Sequence, residues 1–95
     1  MHWKQSMHKK YTIEIHKRVE KFIALHPEMR KWLFYSLHLM EDNPLDSTLD
    51  IKPLFGIPWR HYRLRIGKYR FLYEIREDEI LIYLYDAGSR GGIYR

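Results

Sequence analysis

The stretch that decides the fold runs from His61 to Tyr85 and reads HYRLRIGKYRFLYEIREDEILIYLY. Apolar and polar side chains alternate through most of it, the period of a strand whose two faces see different surroundings. Three strands are expected, at residues 61–66, 69–76 and 79–85. Gly67-Lys68 separates the first two and is a Gly-X pair suited to a type II′ hairpin turn. Glu77-Asp78 separates the second two with less turn character. Taking both as two-residue loops sets a register. Ile66 then faces Tyr69, Leu64 faces Phe71 and Tyr62 faces Tyr73. Across the second turn Ile80 faces Ile75, Ile82 faces Tyr73 and Leu84 faces Phe71. All these side chains share one side of the sheet and make a core.

The opposite face carries His61, Arg63, Arg65, Arg70, Leu72, Glu74, Leu81, Tyr83 and Tyr85. In this register Arg65 lies directly across from Arg70, and like charges placed so destabilise a sheet. A scaffold shaped for stability alone avoids the pairing, so it points to an anionic ligand rather than a folding motive. With Tyr83 and Tyr85 beside the cations, the face is expected to hold phosphates and stackable bases. Five cations (Arg60, Arg63, Arg65, Lys68 and Arg70) fall between Arg60 and Arg70 with no acid among them. They equal the formal net charge of the whole chain, +5. Arg76 and Arg95 read as surface charges.

Upstream, Tyr11-Thr12-Ile13-Glu14-Ile15 alternates with β-branched residues and predicts a strand. From about Lys17 the period becomes helical, with Val19, Phe22, Ile23 and His26 on one face. Pro27 then suits the first position of a second helix, with Glu28 favourable beside its N-terminus. Met29, Trp32, Leu33, Ser36, Leu37 and Met40 form its apolar stripe, and Trp32 is expected in the core. Asn43-Pro44 ends this helix, and a short strand is expected near residues 51–55. Trp59 is expected to pack where the next strand begins. The order is β-α-α-β-β-β-β: an α+β fold with a small antiparallel-rich sheet and a two-helix hairpin packed on one face.

The chain has 95 residues, of which 45% are hydrophobic and 16% aromatic, enough for one packed core and too apolar for a disordered tail. Residues 10–95 are read as a single domain and residues 1–9 as a flexible extension. No apolar run approaches the roughly 20 residues of a membrane-spanning helix. The polar, basic start shows no secretory signal, so a cytoplasmic protein is expected. With no cysteine there is no disulfide or thiolate chemistry. The six histidines lack i, i+4 or HxH spacing, so no metal site is expected, and no phosphate-loop, dinucleotide or GxSxG motif implies a cofactor.

Several segments, taken in order, resemble the RelE/ParE toxin superfamily of toxin–antitoxin pairs. They are Lys52-Pro53-Leu54-Phe55-Gly56, the run from Tyr62 to Ile75, Ala87-Gly88-Ser89-Arg90 and the closing Ile93-Tyr94-Arg95. The likeness covers Tyr11 to the C-terminus. It implies one of two activities: RelE-like cutting of mRNA in the ribosomal A site, or ParE-like poisoning of DNA gyrase without nuclease chemistry. Members that cut use basic residues on the hairpin strands, an arginine after the last strand and often a terminal tyrosine. By position these are Arg63 and Arg65, Arg70, Arg90 and Tyr94, and all five are filled, which favours the RelE branch. A basic RNA-binding domain without activity is the remaining alternative.

The resemblance implies metal-independent cleavage: the 2′-hydroxyl attacks its own phosphate, leaving a 2′,3′-cyclic phosphate and a 5′-hydroxyl. Arg65, Arg70, Arg90 and Tyr94 are the expected catalytic residues. Arg60, His61, Arg63, Lys68, Tyr83 and Tyr85 are expected to bind RNA. Arginine is a poor general base because its pKa lies above 12, which leaves Tyr94 or His61 for that role. Ser89, where relatives often carry a basic residue, and the Gly91-Gly92 link depart from the family pattern. The implied partners are a cognate antitoxin, mRNA and the ribosome, through 16S rRNA at the 30S A site.

Overall fold

A computed structural model describes residues 10–56 and 60–89 of the chain. The expected element order is found: β1 (Thr12–Ile15), α1 (Lys17–Leu25), α2 (Pro27–Asp42), β2 (Asp50–Pro53), β3 (His61–Ile66), β4 (Tyr69–Arg76) and β5 (Leu81–Ser89). The strands form one sheet in the order β1-β5-β4-β3-β2. β2 to β5 are an antiparallel meander, whereas β1 runs parallel to β5, with Thr12 beside Leu81 and Ile15 beside Leu84. The two helices carry the chain from the β1 edge to the β2 edge, and the meander returns to close beside β1.

Local chemistry explains where the helices start and turn. The His16 ring accepts a hydrogen bond from Arg18 N at 3.0 Å and caps α1. Pro27 occupies the first turn of α2, where a missing N–H costs nothing, and Glu28 follows it. Val19 and Ile23 of α1 and Met29, Leu33, Leu37 and Met40 of α2 pack on Leu64, Phe71, Tyr73, Ile75, Ile82 and Leu84 of the sheet. Ser36 interrupts the stripe of α2, but its hydroxyl donates to Trp32 O at 2.9 Å and leaves no unpaired donor.

Trp32 is not in the core; it is 58% exposed. At 100° per residue the buried positions of α2 centre near Met40, and Trp32 lies about 80° away, at the margin of the stripe. Its indole instead lines a cleft with Met29, Tyr35, Leu49 and Ile66.

The first hairpin has the expected register: Ile66 opposite Tyr69, Leu64 opposite Phe71, Tyr62 opposite Tyr73. Gly67 takes φ 58° and Lys68 has no positive φ, as a II′ turn requires. The second hairpin is different. Arg76 pairs with Leu81, Ile75 with Ile82 and Tyr73 with Leu84, so residues 77–80 form a four-residue connection. Glu-Asp lacks the glycine that a two-residue turn favours for its positive φ. The chain turns more widely, and Ile80 takes φ 50°.

This register is two residues from the expected one, and an even shift leaves every side chain on its predicted face. A bulge then intervenes, because Tyr73 pairs with Leu84 but Leu72 pairs with Asp86. Tyr85 is the extra residue. Beyond it the alternation inverts, Ala87 rather than Leu84 faces Phe71, and β5 continues to Ser89 instead of stopping at Tyr85.

Candidate nucleic-acid interface

The sheet face away from the helices presents its side chains in rows across strands about 4.8 Å apart. One row is Asp50–Arg65–Arg70–Gly88, the next Lys52–Arg63–Leu72–Asp86. Arg65 and Arg70 are therefore direct cross-strand partners, as the alternation predicts. Lys52 against Arg63 is a second like-charged pair. Gly67 and Lys68 at the hairpin tip complete, with Arg65 and Arg70, a cleft of about 430 Å³.

These cations are not all waiting for a ligand, which corrects the expectation that folding gives them no motive. Asp50 Oδ1 accepts from Arg63 Nη2 and Asp50 Oδ2 from Arg65 Nε, both at 2.7 Å. Arg63 is pulled into the sheet surface, its side chain only 11% exposed. One carboxylate thus serves two guanidinium groups, so the trio of Arg63, Arg65 and Arg70 keeps two charges beyond Asp50 (three minus one).

Arg70 is the exception. Its Nη1 is buried and, among the described residues, has no hydrogen-bond acceptor, as is true of Arg63 Nε. A buried donor without a partner costs about 1–3 kcal/mol, more when charged. Other acids on this face are turned elsewhere: Glu74 Oε1 lies 3.2 Å from Arg76, and Asp86 Oδ1 accepts from Ala87 N.

A second group forms further along the face. Tyr85, displaced by the bulge, reaches over β4 to place its hydroxyl 2.7 Å from His61 Nδ1. Leu72, on the same face of β4, is 9% exposed although it lies outside the main core. Rings continue the line: His61 to Tyr85 at 5.3 Å, Tyr85 to Tyr83 at 6.3 Å, with Arg76 stacked 5.6 Å from the Tyr83 centroid. Burial raises the Tyr85 phenol above its ordinary pKa, and Glu74 and Asp86 add to the effect. It therefore stays neutral near pH 7.

The remaining predicted residues separate. Lys68 is exposed at the hairpin tip with its ammonium 5.5 Å from the Tyr69 ring. Arg60 is not gathered with Arg65 and Arg70; it pairs with Glu77 and lies against Tyr62 at the far end of the hairpin. Arg90 and Tyr94 fall outside the described residues, as do the 1–9 extension, Trp59, Gly91-Gly92 and Arg95. Asp50 and Lys52 were missed. Alternation around Ile51 puts both on the basic face once β2 is set against β3. Among the described residues no group of three or more His, Cys, Asp or Glu could hold a metal ion. None of their helices is long and apolar enough to cross a membrane.

A helix hairpin on one side of a five-stranded sheet and paired arginines on the other define a small α+β protein with a basic sheet face. No family model matches the sequence. RelE1 of Methanocaldococcus jannaschii, named as a toxin, is 35% identical over 88 residues, spanning 90% of this chain and 97% of that one. Among solved structures, the archaeal RelE–RelB complex from Pyrococcus horikoshii OT3 superposes with a TM-score of 0.73 at 26% identity, over 87% of this chain and 98% of that one. The isolated E. coli RelE toxin gives 0.69 at 17% identity, over 88% of each chain. The chain belongs to the RelE toxin family.

Proposed function

We propose that this protein is a ribosome-dependent endoribonuclease that cuts mRNA in the A site and so stops translation. The observation that carries the reading is Arg70: a guanidinium set across from Arg65, with a buried N–H that no acceptor among the described residues meets. A phosphate crossing this row supplies the missing oxygen. As its 2′-hydroxyl attacks in line, charge grows on the non-bridging oxygens, and Arg70 with Arg65 offsets it by charge-assisted, forked hydrogen bonds. Arg63 and Lys68 hold flanking phosphates, and Tyr83 and Tyr85 offer ring faces to bases.

Arg90 joins Arg70 at the phosphate, and Tyr94 moves the proton; both assignments rest on the sequence pattern. His61 is the weaker choice of base. It lies four residues along β3 from Arg65, about 13 Å, and its Nδ1 is engaged by Tyr85. His61 and Arg60 are assigned to binding the trailing strand. No cofactor or metal takes part in this scheme. Residues 1–9 are assigned to a flexible extension of a single domain.

An antitoxin partner is part of the same proposal. Relatives were solved as RelE–RelB and RelBE toxin–antitoxin complexes. An acidic, amphipathic segment over the basic face neutralises it by charge pairing. The toxin then acts in the cytoplasm, where ribosomes are.

The test adds purified protein to a translating extract and maps the mRNA ends. Arg70→Ala is expected to lower A-site cutting by about 10²–10³-fold while the fold is kept, the loss typical of one transition-state donor. Inhibition that survives Arg70→Ala together with Tyr94→Phe, with no cut message, removes the nuclease reading. Gyrase-trapped DNA breaks in that case establish the ParE-like alternative.

A further inference from the structure

Asp50 is the unexpected member of the basic face, and its geometry has a use beyond holding a strand edge. We propose that Asp50 occupies the place of an RNA phosphate in the free toxin and is displaced from Arg63 and Arg65 when RNA binds. The inference rests on reading this face as an RNA site and assigns its regulation to a single carboxylate.

A carboxylate and a phosphodiester are alike in what these arginines recognise. Each carries one negative charge on a pair of oxygens that only accept hydrogen bonds. Asp50 offers one oxygen to each arginine at 2.7 Å, as two non-bridging phosphate oxygens would. Arg63 is too buried to be left without an anion, since an unpaired buried charge is strongly destabilising. Its anion position is therefore filled in both states, by Asp50 without RNA and by phosphate with it.

Asp50 also satisfies the pair incompletely, because Arg63 Nε still lacks an acceptor among the described residues. A phosphate, with more oxygens, meets that donor too. The exchange is sterically open: β2 is the edge strand of the sheet, and Asp50 and Arg65 are 36% and 47% exposed. Because a phosphate must compete with a tethered carboxylate, stray RNA binds more weakly than the number of arginines implies. RNA held in position displaces it at less entropic cost.

Asp50→Asn keeps the shape and one acceptor oxygen while removing the competing charge. Binding of a short fluorescein-labelled single-stranded RNA is followed by anisotropy between about 50 and 200 mM salt. The variant is expected to bind several-fold more tightly, with log K against log salt keeping its slope, because the same phosphate reaches Arg63 and Arg65 in both proteins. Unchanged or weaker binding by a folded variant overturns the proposal.

Should the variant fail to fold, wild-type protein labelled with 15N gives the same answer. The Arg65 Nε–H resonance is expected to move on RNA addition, and one unmoved at saturation overturns the exchange. Failure here is separable from failure of the nuclease reading. Tighter RNA binding without message cutting supports the role of Asp50 and ends the nuclease reading. Cutting by a variant of unchanged RNA affinity does the reverse.

Discussion

Tyr73 is wholly buried, and its hydroxyl donates to Pro44 O at 2.7 Å, tying β4 to the loop after α2. Burial pushes this phenol well above the ordinary tyrosine range, with Tyr62 adding and Arg60 partly offsetting. The unfolded chain therefore releases the proton first, near pH 10, while the folded chain keeps it. Stability from Tyr73 is complete below pH 10 and falls by about 1.4 kcal/mol per unit above it, until the folded phenol ionises. Tyr69, through its hydrogen bond to Glu28, and Tyr85 shift in the same direction. Thermal melts between pH 8 and pH 11 are expected to fall steeply beyond about 10. Tyr73→Phe is expected to flatten that fall while costing about 1 kcal/mol at neutral pH; an equally steep alkaline limb in the variant contradicts the assignment. Asp50 shows the limit of reading residues singly. The positive run from Arg60 to Arg70 is legible in sequence, but the carboxylate that engages two of its members lies 13 and 15 residues before them.

Turn chemistry governs how far each hairpin can be read. Gly67-Lys68 specifies its turn because one residue must adopt positive φ and glycine does so freely. Glu77-Asp78 specifies none, and the wider connection leaves Ile80, a β-branched residue, at φ 50°. That conformation costs a β-branched side chain about 1–2 kcal/mol. Glycine removes that strain but also a part-buried side chain, so Ile80→Gly is expected to lower stability by only about 1 kcal/mol, less than an unstrained truncation of this size. Urea midpoints measure this, and a loss above about 2 kcal/mol rules out the strain. The bulge at Tyr85 is likewise silent in sequence, since Leu81 to Tyr85 alternates without a break. It matters for the site because it releases Tyr85 to reach over β4 to His61. Trp32 belongs to the same scale: its spacing fits the apolar stripe of α2, yet the sheet covers only the arc centred on Met40.

The helix hairpin and the sheet meet through one core, and Leu33 sits in it with no exposed surface. Leu33→Ala is expected to cost about 2–5 kcal/mol, depending on how far the neighbours relax into the cavity. For a domain held by about 5–15 kcal/mol, chemical denaturation then begins at markedly lower urea; an unchanged midpoint shows that Leu33 packs loosely. Element order, helix faces, the first hairpin and the division of the sheet into apolar and basic sides are local properties. Alternation, helical period, glycine and proline act within a few residues, and the sequence by itself determined them. The parallel pairing of β1 with β5, the wide second turn with its bulge and the Asp50 bridge depend on which distant segments meet once apolar faces are buried. Backbone pairing is open to any strand of suitable length, so only the packed whole decided these neighbours, and with them which guanidinium groups are already engaged and which still lacks an anion.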